Sequence, residues 1–310
     1  MFARPTKHLS PRAAACALLL GLAGCLAHFP PRLPHAAESP WGTIRAEDPG
    51  IASEMAALVD EIAPRIAPEV PGLAVRDLDV RVVRGFADPL WGGATFQMPG
   101  GYWMELPVGS LPDLARSTLA HELVHYWLGP DWDPLPAVLE EGLADLVAGR
   151  VVPEESAIER AGYAILLSTA FAGGLELRVG PPAGARASIA TMRLNADLDP
   201  AQLPELDEVL RMSSRDLNAV ESRENRLFLY GFGYLFASRI GVERLYELCR
   251  LARHRGHTRI PAEWIYREAG IDPQDPGSWK VAIDGILGIE ERAALAGMQP
   301  IGNGVYRLGR

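Results

Sequence analysis

The residues best suited to chemistry are His121, Glu122 and His125, in the run His121-Glu122-Leu123-Val124-His125. Residues four apart share one face of a helix, so two imidazoles at this spacing can be offered to a single ion. Glu122 lies beside them, where its carboxylate can take a proton from a water held by that ion. The flanking sequence reads as a helix. Ser110 and Asp113 form a capping pattern around Pro112, Leu114, Thr118, Leu119, Leu123 and Trp127 supply an apolar side, and Gly129-Pro130 ends the run.

A catalytic zinc takes three protein ligands and keeps a fourth position for water. The third ligand is expected from a second helix downstream. Pro134 to Pro136 opens one, and it carries Glu140-Glu141-Gly142-Leu143-Ala144-Asp145. Glu140 and Glu141 both follow His125 at a usable distance, and spacing alone leaves the choice between them open. Read without function, the same residues make a surface helix with two solvated histidines and an exposed acidic face at Glu141 and Asp145.

The pairing of HELVHYW (121–127) with EEGLAD (140–145) resembles the gluzincin superfamily of zinc metallopeptidases, particularly those whose second helix reads Glu-Gly-Phe/Leu-Ala. The resemblance implies that the Glu directly before Gly, Glu141, is the third zinc ligand beside His121 and His125. It also implies that Asp145, one turn further on the same face, orients a ligand histidine. The stretch Leu229-Tyr230-Gly231-Phe232-Gly233-Tyr234-Leu235-Phe236 is similar to the family's late helix, in which many members carry a catalytic tyrosine. Tyr230 matches that position, and Tyr234 shares its face one turn on; the alternative for Tyr230 is a plain core aromatic. The resemblance spans residues 75–280 and is strongest over 112–148. Two features depart from the aminopeptidases of the group. The gap from His125 to Glu141 is shorter, and the Gly-Ala-Met-Glu-Asn motif is missing, Met104-Glu105 being only a fragment of it.

What the resemblance implies for the fold is an α+β, zincin-like chain: a small mixed or antiparallel sheet whose edge strand packs on the His121–His125 helix, then a mainly helical C-terminal part. What it implies for activity is zinc-dependent hydrolysis of a peptide or protein substrate. Glu122 acts as general base and Tyr230 steadies the oxyanion. The strand around Gly101 to Pro107 offers the free edge against which an extended peptide lies. Two other readings compete. One is a catalytically silent peptidase-like lipoprotein serving as a binding or scaffold module, against which the retained Glu122 argues. The other is a closed structural zinc site, for which no Cys pair and no third histidine near the helices is present.

The rest of the chain must supply the elements that hold these groups. With 310 residues and 48% apolar composition it can bury one large core or two smaller ones. Ile51, Met55, Leu58, Val59 and Ile62 are spaced as a helix over 50–66, and Val75, Leu78, Val80 and Val82 alternate as a strand over 75–84. Gly92-Gly93 and Pro99-Gly100-Gly101 bracket Ala94 to Met98, and Tyr102 to Val108 follows, which reads as a hairpin. From residue 110 onward the pattern is mainly helical. The expected division is residues 46–150 for the metal helices and 151–310 for the helical remainder.

The N-terminal segment carries Arg4, Lys7 and Arg12, then an apolar stretch from Ala13 to Gly24 too short to span a bilayer. It ends in Leu22-Ala23-Gly24-Cys25, which resembles the lipobox of bacterial lipoproteins. That resemblance implies a signal over 1–24, lipidation of Cys25, and a Pro-rich tether over 25–45 containing Phe29-Pro30-Pro31-Arg32-Leu33-Pro34. It places the domain in the bacterial envelope, outside the cytoplasm, and Leu26 in place of Asp favours the outer membrane. The alternative is an ordinary secretory signal in which Cys25 is incidental. Loss of residues 1–24 removes three positive charges and no negative one, taking the formal charge from −9 to −12, which disfavours nucleic acid as a partner. Cys16 leaves with the signal and Cys25 with the lipid, so Cys249 stands alone, a core residue rather than half of a disulfide. His254 and His257, within the Arg-rich run Arg250 to Arg259, read as a solvated basic patch rather than ligands.

Overall fold

The computed structural model describes residues 31–84, 93–98, 101–107, 112–179, 190–198, 203–288, 298–302 and 305–308. The signal segment, Cys25 and the Ser110 cap lie outside them, as does the Asp113 side chain.

Strands β1 (His35–Ser39) and β2 (Gly42–Ala46) form an antiparallel hairpin. β2 runs parallel to β3 (Leu78–Val83), β3 parallel to β5 (Gly101–Pro107), and β5 antiparallel to β4 (Ala94–Met98). The result is a mixed five-stranded sheet in the order β1-β2-β3-β5-β4. β3 behaves as its alternation predicts, with Leu78, Val80 and Val82 buried on one side. Val75 does not join it and is exposed. The β1–β2 hairpin occupies most of the stretch read from sequence as a tether. What draws it into the fold is pairing with a strand more than thirty residues away, aided by Gly42. That glycine has φ 143°, and a Cβ there would sit 2.2 Å from the Leu78 carbonyl oxygen.

Helix α1 (Pro49–Ile66) starts where Asp48 accepts hydrogen bonds from the Gly50 and Ile51 amides, with Pro49 in the first turn. It packs on β1, β2 and the metal-bearing helix, but through Ala52, Ala56, Val59, Ile62, Ala63 and Ile66. The larger Ile51, Met55 and Leu58 are only partly buried. The stripe is rotated from the one the bulky residues suggested, because small Ala side chains let the helix approach closely.

Then come α2 (Pro112–Trp127), a 3₁₀ turn (Pro130–Trp132), α3 (Ala137–Val151) and α4 (Pro153–Ala172). β6 (Leu175–Val179) and β7 (Ala190–Leu194) form a hairpin. After it lie α5 (Leu206–Val209), α6 (Ser214–Asn218), α7 (Arg223–Ile240), α8 (Val242–His254), α9 (Ala262–Ala269) and α10 (Pro276–Asp284). The chain's last described hairpin is β8 (Met298–Gly302) with β9 (Val305–Leu308). The architecture is α+β, and the C-terminal half is mainly helical, as expected, apart from its two hairpins. One hydrophobic core runs from Ile44 to Leu287 and crosses residue 150 without a break. Among the described residues no helix is long and apolar enough to cross a membrane. Cys249 is buried, and burial first, then Asp131, pushes its thiol up to about 12, so it is inert packing. His254 and His257 are exposed, the latter edge-on to Trp264.

Candidate metal centre

α2 is buried on most of its circumference. Leu119, Ala120, Leu123, Val124, Tyr126 and Trp127 are all essentially inaccessible to water. Two polar tips fix its C-terminal end to the chain beneath it. The Tyr126 hydroxyl receives the Asp79 amide at 3.2 Å and faces the Asp77 and Tyr102 carbonyls at 2.9 and 3.1 Å. The Trp127 indole donates to the Arg76 carbonyl at 3.0 Å. Anchored there, α2 turns His121 and His125 toward α3.

The two imidazoles meet through Nε2, 3.0 Å apart. Glu141 Oε2 lies 3.3 Å from Nε2 of His121 and 3.6 Å from Nε2 of His125. Each ring's other nitrogen is spoken for: Nδ1 of His121 sits 2.6 Å from Asp145 Oδ1, and Nδ1 of His125 sits 2.8 Å from Glu140 Oε1. An ionised carboxylate only accepts, so each Nδ1 carries its hydrogen and each neutral ring presents a lone pair at Nε2. With both rings neutral, two lone pairs and one carboxylate oxygen converge on one point. All three ligand atoms lie within 4.8 Å of one another, and together they can hold a metal ion.

The electrostatics demand positive charge at the same point. Burial alone would lower both histidines, but Asp145 and Glu141 outweigh it and raise His121 well above its usual range. Glu141 and Glu140 do the same to His125, raising it to about 10. For Glu141, burial is outweighed by the two imidazoles, which hold its carboxyl far below the usual range. A proton shared by the rings satisfies this field only in part, whereas a metal ion could contact all three atoms together.

His121, His125 and Glu141 are therefore brought together as the sequence reading expected, and Asp145 stands where it orients His121. Glu140 is the residue that reading missed. By spacing alone Glu140 is a rival ligand to Glu141, and the two side chains leave the helix about 100° apart. The crossing of α2 and α3 lets the adjacent carboxylates reach opposite nitrogens of the same His125 ring. The signal that pointed to it was the Glu-Glu pair itself.

Glu122 is buried, 6% exposed, with Oε2 accepting from the Thr95 hydroxyl at 2.8 Å. Burial raises its carboxyl above the usual range, while His121, His125 and the Thr95 hydrogen bond pull the other way. Thr95 belongs to β4, which passes directly over this carboxylate. A Cβ on Gly93 would come within 2.7 Å of Glu122 Cγ and 2.9 Å of Oε1. The sheet order also corrects the expected free edge. Gly101–Pro107 is paired on both sides, whereas among the described residues Ala94–Met98 is the outer strand of the sheet and lies beside Glu122.

α7 reaches the site through glycines. A Cβ on Gly142 would lie 2.0 Å from the Gly233 carbonyl carbon, and one on Gly233 would lie 1.8 Å from the Val138 carbonyl oxygen. α3 and α7 therefore cross backbone to backbone, which only glycine allows. The crossing puts Tyr230 within the field of the acidic cluster: burial first, then Glu141 and Asp145, push its phenol far above the usual range. Its hydroxyl has no hydrogen-bond partner among the described residues. Tyr234 is buried, with its ring 5.9 Å from that of Tyr163. Tyr163, on α4, places its hydroxyl 2.8 Å from Asp145 Oδ2 and 3.0 Å from Glu159 Oε1. Burial and these carboxylates raise its phenol well above the usual range, so it stays a donor.

No protein-family model and no curated protein matches this chain. The side-chain geometry is what remains to say what the centre does.

Proposed function

We propose that the chain is a zinc-dependent metallopeptidase of zincin-like fold, held at the bacterial envelope by a lipid on Cys25. The observation that carries the reading is the convergence of His121 Nε2, His125 Nε2 and Glu141 Oε2 immediately beside the buried carboxylate of Glu122. Two imidazoles and one carboxylate are the donor set of a catalytic zinc with one position left for water. A purely structural site needs no buried base next to it. Zinc, when bound, supplies a Lewis acid that lowers the pKa of water to about 7 and polarises a carbonyl.

The chain's own groups do the rest. Thr95 points the Glu122 carboxylate and leaves one oxygen to take the proton of the attacking water. Glu122 then returns that proton to the leaving amine. Tyr230, whose hydroxyl has no partner among the described residues, donates to the oxygen that becomes negative in the tetrahedral state. Asp145 and Glu140 keep each imidazole in the tautomer that ligates. The outer edge of β4 offers backbone groups to an extended peptide lying beside Glu122.

The test pairs metal analysis of the purified protein with peptide-library cleavage, for wild type and Glu122→Gln. One zinc per chain is expected in both. Glu122→Gln should lose about 10²- to 10⁴-fold in hydrolysis, because an amide cannot take the proton. A fully zinc-loaded wild type that cleaves no peptide would overturn the hydrolytic reading and favour a silent scaffold.

A further inference from the structure

We infer that Tyr163 is a positioning residue of the metal centre, gripping Asp145 so that helix α4 sets how tightly the metal is held. The inference rests on the metal-binding reading above. Asp145 is held by both oxygens: Oδ1 faces His121 Nδ1 at 2.6 Å and Oδ2 faces the Tyr163 hydroxyl at 2.8 Å. A carboxylate held at both ends cannot turn without breaking one bond. Without the tyrosine only Oδ1 is held, and Oδ2 loses the hydrogen bond that fixes the plane of the carboxylate.

Tyr163 is itself closely packed. It is 1% exposed, and it occupies space that only a glycine opposite would leave, since a Cβ on Gly231 would come within 2.9 Å of Tyr163 Cβ and 3.0 Å of Cγ. The Tyr234 ring packs against it, centroids 5.9 Å apart. Its hydroxyl has one proton and two carboxylates within reach. By surface area Glu159 is the more exposed of the two and Asp145 is buried. The proton goes to Asp145, the closer of the two. The order of control is then α4 through Tyr163, Asp145 and His121 to the metal. Gly231, part of the glycine-aromatic run on α7, is what makes room for it.

The experiment is a zinc titration of the full chain against a chromophoric chelator, for wild type, Tyr163→Phe, Asp145→Asn and the double variant. Tyr163→Phe keeps the ring that fills the space beside Gly231, and the melting temperature of each metal-free variant checks that the fold survives. We expect Tyr163→Phe to weaken zinc about tenfold and Asp145→Asn about 10- to 100-fold. The double variant should bind no more weakly than Asp145→Asn, because Tyr163 acts only through Asp145. Glu159→Gln should bind within about twofold of wild type. Zinc affinity unchanged in Tyr163→Phe overturns the inference, as does an equal tenfold loss in the Asp145→Asn background. A wild type that takes up no zinc is a different failure, that of the metal-binding reading itself.

Discussion

Truncating Glu140 and truncating Glu141 should have effects that differ in kind, although the residues are neighbours. Glu141→Ala removes one of three converging ligand atoms. Glu140→Ala leaves all three and removes the acceptor that holds the His125 ring, 2.8 Å from Nδ1. A hydrogen bond to a charged group contributes about 1.5–3 kcal/mol. The Glu140 side chain is 33% exposed, so water replaces part of what is lost. The low end therefore applies, about 1.5 kcal/mol, or close to tenfold in zinc affinity. Glu140→Gln should lose less, because its amide oxygen still accepts. Competition with a chelator of known affinity measures all three variants, with equilibrium dialysis for the one that no longer binds stoichiometrically. Wild-type affinity in Glu140→Ala would mean that the carboxylate contributes no orientation beyond what water supplies. Stoichiometric zinc in Glu141→Ala, with loss in Glu140→Ala, would reverse the two roles and refute the ligand set.

Tyr230→Phe should lower kcat by about 10²- to 10³-fold with KM and zinc content unchanged, the cost of one oxyanion donor. Steady-state kinetics decide it, and a collapse in Tyr234→Phe with normal turnover in Tyr230→Phe would move the role one turn along. Gly233→Ala places a methyl 1.8 Å from the Val138 carbonyl oxygen, so α3 and α7 must part. We expect a loss of at least about 1–3 kcal/mol in urea unfolding, and a wild-type midpoint would contradict the close crossing. The metal-free protein should lose stability as pH rises. His125 titrates at about 10 in the fold against an ordinary 6.5, so its stabilising proton is fully present below about pH 6.5 and is lost through about pH 10. The melting temperature of zinc-free protein should fall from pH 7 to 10, and saturating zinc should blunt the fall; a rise without zinc would contradict the burial of the pair among carboxylates.

What the sequence determined by itself was local. Two histidines four apart on a helix must share a face whatever surrounds them, and so must Glu141 and Asp145. The choice of Glu141 over Glu140, and the role of Asp145, came from the family resemblance; the histidine pair as candidate ligands needed only the helical period and the chemistry of the side chains. The same holds for β3, whose alternation of Leu78, Val80 and Val82 states which side is buried, and for Asp48-Pro49 as the start of α1. Tertiary structure decided what depends on how distant elements meet. Glu140 and Glu141 differ on the helix only by an angle, and that angle acquires meaning only once α3 crosses α2. Among the described residues the outer strand beside Glu122 is Ala94–Met98 rather than Gly101–Pro107 because strand pairing is non-local: nothing in either segment says that β3 takes the other side of β5. β1 and β2 likewise lie in a Pro-rich stretch that reads as tether until β3 supplies a partner. Gly142 and Gly233 reveal their purpose only as a pair, each vacating the space that the other helix's backbone fills. Tyr163 had no signal of its own, since an aromatic in an amphipathic helix reads as core; its hydroxyl matters because the packing of α4 sets it against Asp145, which periodicity along one chain segment cannot encode.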